Sequence, residues 1–294
     1  MRIGPFAVEP LPVVFAGREI LVCQGEVGGL TRRLLLANHV AGAGPRPLVV
    51  ELHGSGLFPY EQMVMSGLHL TGAEAGFLVA APEAGVPFQL YPDWAVGTTW
   101  RLPGMPLPRT NYVPDGPDDA GFVLAMIDAL VDAGLADPKR VYVTGFSAGG
   151  RFASHLAAVA PERFAGAAPV AGLRLSQHAT AAPPPILSIH GRLDELNAFE
   201  GGLGPRWDLG VEETVAAYAE RFGWPAATRQ ADGELMTRLS VHDGQGVERL
   251  RQYVVDDGRH VWPSSTDPVH GKAFGPVTTA LDATAEMCRF WGLI

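Results

Sequence analysis

Residues 141–150, Val-Tyr-Val-Thr-Gly-Phe-Ser-Ala-Gly-Gly, set a serine between glycines where an apolar run gives way to a helical pattern. A serine hydroxyl is a poor nucleophile until a base takes its proton and a carboxylate orients that base. In a chain with 36 glycines the pattern Gly-x-Ser-x-Gly says little by itself. Its setting says more. A nucleophile elbow needs a strand before the serine, a helix after it and glycines beside it, because the turn is tight and strained. Residues 141–144 read as the strand and 148–160 as the helix. Gly145, Gly149 and Gly150 remove side chains where the turn would clash. The helix start would also aim backbone N–H groups at whatever Ser147 attacks.

In an elbow of this kind the partners follow in the order serine, acid, histidine. His242, His260 and His270 lie far enough downstream. His242 reads as the end of a hairpin strand, and His270 sits in a Pro/Gly-rich segment with no strand before it. His260 follows the strand-like "RLRQYVV" directly and is the expected base. For the acid, "ILSIHGRLDELN" is an apolar strand running into a polar loop that holds Asp194, with Glu195 as the alternative. Asp256 and Asp257 read as a solvated turn. Two N–H donors must meet the oxyanion of a tetrahedral intermediate. The Ala148 amide is one; "LHGSG" at 52–56 offers the other, assigned to Ser55.

Other chemistries find little support. There is no HExxH, no GxxxxGK[ST] and no GxGxxG after the first strand. His190 and Asp194 without a third partner do not make a metal site, so the reading is metal: none and cofactors: none.

Elements that could hold such a site are legible along the chain. Residues 12–22 and 30–40 read as strands of an antiparallel opening, and "LVVELHGSG" and "GFLVAAPEA" as buried parallel strands. Residues 61–75 read as a helix. The stretch 84–116 reads as a long loop, with six prolines plus Trp94 and Trp100. Phe122, Ala125, Met126, Ala129 and Leu130 recur as one apolar helical stripe. Two further strands, a helix at 211–222, a late strand and a C-terminal helix complete the alternation. Such alternation predicts a mostly parallel sheet covered on both faces, with ligands at the carboxyl ends of its strands.

The composition bounds the partners. Twenty-two basic against 31 acidic residues give a net charge of −9, so neither nucleic acid nor an anionic membrane is expected. No apolar run is long enough to span a bilayer. Cys23 and Cys288, far apart in sequence, read as two reduced, buried thiols.

Four blocks, "PLVVELHGSG", "DDAGFVLAMIDALVDAGLADPKRVYVTGFSAGGRFASHLAAVAPERFAGAAPVAG", "PPPILSIHGRLDE" and "GRHVWP", resemble the polyhydroxybutyrate-depolymerase and feruloyl-esterase-like hydrolases related to carbohydrate esterase family 1. The resemblance runs from about residue 28 to the C-terminus and implies an α/β-hydrolase fold. With the length and the strand pattern, 1–294 reads as one such domain, with a mostly parallel central sheet, helices on both faces and an antiparallel N-terminal opening. The resemblance also implies a serine carboxylic ester hydrolase with Ser147 as nucleophile, Asp194 as acid and His260 as base. Ser55 would be the first oxyanion donor, with Trp100 and Trp262 as walls of the substrate site. Segments 84–116 and 197–210 would shape the pocket. Members often carry cysteines near the first glycine loop and before the last strand. Here those places read "HGSG" and "RFGWPAAT", which favours a cytoplasmic enzyme. The lack of a Ser/Thr-rich linker or extra binding domain after the hydrolase blocks favours small or oligomeric esters over a polymer granule. A serine peptidase or acyltransferase on the same residues, or a non-catalytic hydrolase-like binding protein, remains as an alternative.

Overall fold

The computed structural model describes residues 1–11, 19–108, 110, 112–179 and 181–294. In chain order the strands are β1 (Arg2–Ile3), β2 (Phe6–Pro10), β3 (Ile20–Val27), β4 (Leu30–Ala37), β5 (Arg46–Leu52), β6 (Leu78–Pro82), β7 (Val86–Phe88) and β8 (Gly97–Thr99). They continue with β9 (Ala136–Phe146), β10 (Gly166–Val170), β11 (Ile186–Gly191), β12 (Thr228–Ala231), β13 (Met236–His242) and β14 (Glu248–Val255). The helices are α1 (Pro59–Ser66), α2 (Leu68–Ala75), α3 (Asp119–Asp132), α4 (Ala148–Val159), α5 (Val211–Phe222), α6 (Pro268–Phe274) and α7 (Ala283–Phe290).

One sheet joins twelve strands in the order β1-β2-β3-β4-β6-β5-β9-β10-β11-β14-β13-β12. Its centre, β6 through β14, is parallel. Antiparallel strands flank it on both sides, β1–β4 at one edge and the hairpin of β13 and β12 at the other. Successive side chains of a strand face opposite ways, so each buried strand feeds two cores. Leu48, Val50 and Leu52 of β5 pack on the face covered by α3, α4 and α5, with Phe122, Phe152 and Tyr218. Val49 joins Met63, Leu68, Met287 and Trp262 on the other face, under α1, α2 and α7. The architecture is an α/β-hydrolase fold. Among the described residues no helix is long and apolar enough to cross a membrane.

The elements depart from the sequence expectation in instructive places. The strand expected over 12–22 lies partly outside the described residues, and its described part begins at Ile20. The helix expected over 61–75 is two helices, because Gly67 takes φ 68° and ends the first of them. Segment 84–116 is not a bare loop: β7 and β8 pair within it, and Thr98 bridges to Leu57. Helix α6 was not legible, since its seven residues include one glycine and are too short to show a period. Cys23 and Cys288 are free and sit in the two opposite cores. Burial pushes both thiols up to about 12.

Candidate active site

Ser147 occupies the one-residue corner between β9 and α4, with φ 56° and ψ −112°. A non-glycine residue at positive φ is strained and persists only where its surroundings fix it. Here β10 does so: the Ser147 amide donates to the Val170 carbonyl at 2.9 Å. Crowding explains the glycines. A Cβ on Gly145 would stand 2.6 Å from the Gly149 carbonyl carbon, and one on Gly149 would collide with the Leu52 carbonyl oxygen. Neither has positive φ; it is close backbone approach that forbids a side chain.

Asp194 stands three residues after β11 and His260 five after β14, both at the carboxyl edge where β9 ends. His260 Nε2 lies 2.8 Å from Ser147 Oγ, and His260 Nδ1 lies 2.7 Å from an Asp194 carboxylate oxygen. The other Asp194 oxygen accepts the amides of Leu196 and Asn197, each at 2.8 Å. Burial alone would raise the Asp194 carboxyl. Electrostatic attraction and hydrogen bonding from His260, with the His190 ring beside the carboxylate, outweigh burial and hold the group well below the usual carboxylate range. The site thus holds a fixed anion behind an imidazole that faces a hydroxyl.

The loop after β5 closes the site from the other side. His53 is buried; its Nε2 accepts the Ala84 amide at 3.1 Å, which leaves Nδ1–H to donate to the Gly54 carbonyl. Burial pushes His53 down to about 4, against the Gly54 bond, so it stays neutral. Ser55 Oγ meets Thr99 Oγ1 at 2.9 Å, and the Gly56 amide donates to Thr98, tying this loop to β8. Gly54 and Ser55 line the same cleft as Ser147 and His260. Among the described residues neither the Ser55 nor the Ala148 amide donates a hydrogen bond within the protein.

The cleft at Ser147 is small, about 40 Å³. Its apolar walls are Leu57, Leu90, Pro108, Phe146, Leu196 and Phe274. Leu90 and Pro108 come from segment 84–116, and Asn197 and Arg206 bring 197–210 to the cleft. Trp100 and Trp262, expected as walls, are corrected: neither lines it. Trp100 is 3% exposed, stacks on Phe152 with centroids 4.7 Å apart and donates its indole N–H to the His53 carbonyl. Trp262 is 1% exposed and donates to Thr284 Oγ1. Both indoles satisfy their N–H inside the protein, which removes any need to face solvent.

Several contributors were missed from sequence. Asn197 fastens the acid loop to the end of β10 by donating its side-chain amide to the Ala171 carbonyl at 2.7 Å. Its only sequence signal is an asparagine three residues after the aspartate, a common turn spacing. His190, weighed only as a metal ligand, lies 3.3 Å from the Asp194 carboxylate and donates from Nε2 to the Asn197 carbonyl. Phe274 reaches the cleft on α6, where its ring lies 5.8 Å from that of Phe146. His270 does not contend for the base position: its Nε2 accepts the Trp262 amide at 2.7 Å.

With this geometry in hand, comparison with known proteins gives a consistent picture. Residues 116–177 match the prolyl oligopeptidase family. "Putative esterase NocK" of Nocardia uniformis subsp. tsuyamanensis is 31% identical over 95% of this chain and 83% of its own length. Poly(3-hydroxyalkanoate) depolymerase C of Paucimonas lemoignei is 34% identical over 47% of this chain and 31% of its own. Among solved structures, an acetyl xylan esterase from Aspergillus awamori superposes with TM-score 0.59 at 16% identity, covering 90% of this chain and 94% of that one.

Proposed function

Because the chain belongs to the α/β-hydrolase esterase family and is a serine ester hydrolase, we propose that it cleaves small carboxylic esters through an acyl-enzyme on Ser147. The hydrogen-bonded run from Ser147 through His260 to Asp194 carries this reading. As Ser147 Oγ attacks the ester carbonyl, His260 Nε2 takes its proton. Asp194 keeps the other nitrogen protonated and stabilises the imidazolium. The Ala148 and Ser55 amides receive the oxyanion, one such donor contributing about 2.7–4 kcal/mol to the transition state. His260 then gives its proton to the leaving alcohol and activates water to release the acid.

Substrate size follows from the cleft. A volume of about 40 Å³ accommodates a few water-sized spheres, which suits a short acyl group against Leu57, Phe146 and Phe274. We read residues 1–294 as one hydrolase domain, supported by the twelve-stranded sheet that joins strands from both ends of the chain, β1 and β14 among them. The free, buried Cys23 and Cys288 support a reducing, cytoplasmic setting.

The test is hydrolysis of 4-nitrophenyl acetate together with labelling by a fluorophosphonate. Wild type should turn over and be labelled at Ser147, and Ser147→Ala should do neither. Wild-type turnover in a folded Ser147→Ala variant would end the proposal. Comparable cleavage of the matching 4-nitroanilide would move the enzyme to the peptidases.

A further inference from the structure

A second cavity, far larger than the cleft at Ser147, opens beside it. It measures about 570 Å³ and lies beside α4, between the loop at 102–105, residues 174–178 and α5. Arg151, Arg174 and Arg221 all line it, in a chain whose net charge is −9. Arg151 is the unusual member. It is 4% exposed, and among the described residues its Nε has no hydrogen-bond partner and no carboxylate pairs with it. Every aspartate and glutamate of the chain is among those described.

A guanidinium cannot shed its charge to escape this setting, and burying a charge unpaired is costly. Burial, with Arg206 and Arg174 nearby, weakens its hold on its proton, so neighbouring charges add to the penalty. Asp208 does not relieve it, being engaged by Arg174 at 2.7 Å and half exposed. His155 and His178 also line the cavity. Burial and His178 push His155 down to about 4 against the pull of Asp118, so it is neutral at pH 7. The cavity therefore holds three arginines against one carboxylate that is already paired.

The cavity adjoins the reaction centre. Arg151 lies in the first turn of α4, and its amide donates to the Ser147 carbonyl at 2.9 Å. Four residues of helix rise about 6 Å. Pro205 lines the cavity while its neighbour Arg206 lines the cleft, so residues 205–206 stand at both. The cleft has room only for a short acyl group, and the remainder of an ester must lie beyond it.

We propose that this cavity is a subsite for an anionic group, carboxylate or phosphate, on the alcohol portion of the ester, with Arg151 as its principal partner. The proposal rests on the ester-hydrolase reading above and supplies the substrate class that reading leaves open. Arg fork geometry suits both anions.

The test uses two acetates that differ in one charge, 4-acetoxybenzoate and 4-acetoxybenzamide. The ratio of their kcat/KM values should fall at least tenfold in Arg151→Gln and recover in part in Arg151→Lys. If Arg151→Gln does not fold, Arg221→Gln on α5 should lower the same ratio. Calorimetry on the Ser147→Ala protein should detect 4-hydroxybenzoate or inorganic phosphate, with binding weakened by added Arg151→Gln or Arg221→Gln. An unchanged ratio with no binding of either anion would overturn the subsite while leaving the hydrolase reading intact. A carboxylate preference confined to the acyl side, in 4-nitrophenyl hemiglutarate over 4-nitrophenyl butyrate, would also overturn it. If wild type cleaves no acetate yet binds the anions, the hydrolase reading fails and the anion site stands.

Discussion

Asp194 divides its two oxygens: one takes His260 Nδ1 at 2.7 Å, and the other takes the Asn197 amide at 2.8 Å. The carboxylate is thereby aimed by its own loop before it acts on the histidine. Asp194→Asn keeps the shape but offers an amide in place of the anion. The expected result is a fall in kcat of about 10⁴, as for loss of the correct imidazole tautomer, with thermal stability changed little by comparison. Near-wild-type turnover in steady-state kinetics would remove Asp194 from this role.

Asn197 acts through that loop. Asn197→Ala would leave the buried Ala171 carbonyl without its donor, at about 1–3 kcal/mol of stability. Because the carboxylate would then be less firmly aimed, kcat should fall roughly tenfold while KM changes less. Chemical denaturation and steady-state kinetics measure the two effects separately. A loss of stability with kcat intact would make Asn197 purely structural.

Phe274 bounds the small cleft from α6. Wild type should favour 4-nitrophenyl acetate over the octanoate by tenfold or more in kcat/KM. Phe274→Ala should narrow that ratio by enlarging the hollow, each accommodated methylene contributing roughly 0.8 kcal/mol. An unchanged chain-length profile would show that the ring does not limit the acyl group.

Acid should destabilise the fold through its buried histidines. Burial, with His260 nearby, pushes His270 down to about 3, from an ordinary value of 6.5. Between those values the unfolded chain binds a proton that the folded one refuses, so stability falls as pH drops from about 6.5 toward 3. His53 and His155, each near 4, act in the same direction. His270→Gln, with an acceptor but no titration, should flatten part of this slope in urea melts at pH 4 to 7. An identical slope would contradict the assignment.

Glu51 works on the alkaline side. Burial raises its carboxyl to about 8, despite hydrogen bonds from Ser66 and Gln62. As pH rises from about 4.5 to 8 the unfolded chain ionises while the folded one holds its proton, so stability is lost across that window. Glu51→Gln should therefore be more stable than wild type above pH 8, by up to a few kcal/mol. Equal melting at pH 5 and a growing gap by pH 8.5 is the expected pattern.

What the sequence determined by itself was local or ordinal. The corner at Ser147 was legible because a strand, three glycines and a helix adjoin it directly. Asp194 and His260 are nominated by chain order and by standing just after strands, and in space His260 meets Ser147 while Asp194 meets His260. Tertiary structure alone decided what those rules do not address. Trp100 and Trp262 have the composition of pocket walls, yet partners far away in sequence, His53 and Thr284, draw their indoles inside. Asn197 and Phe274 gain their places from Ala171 and from a helix too short to leave a period. Arg151 reads as one more helix arginine until the fold surrounds it with cations and withholds a carboxylate. Burial and pairing depend on which distant residues become neighbours, and periodicity along one chain does not encode that.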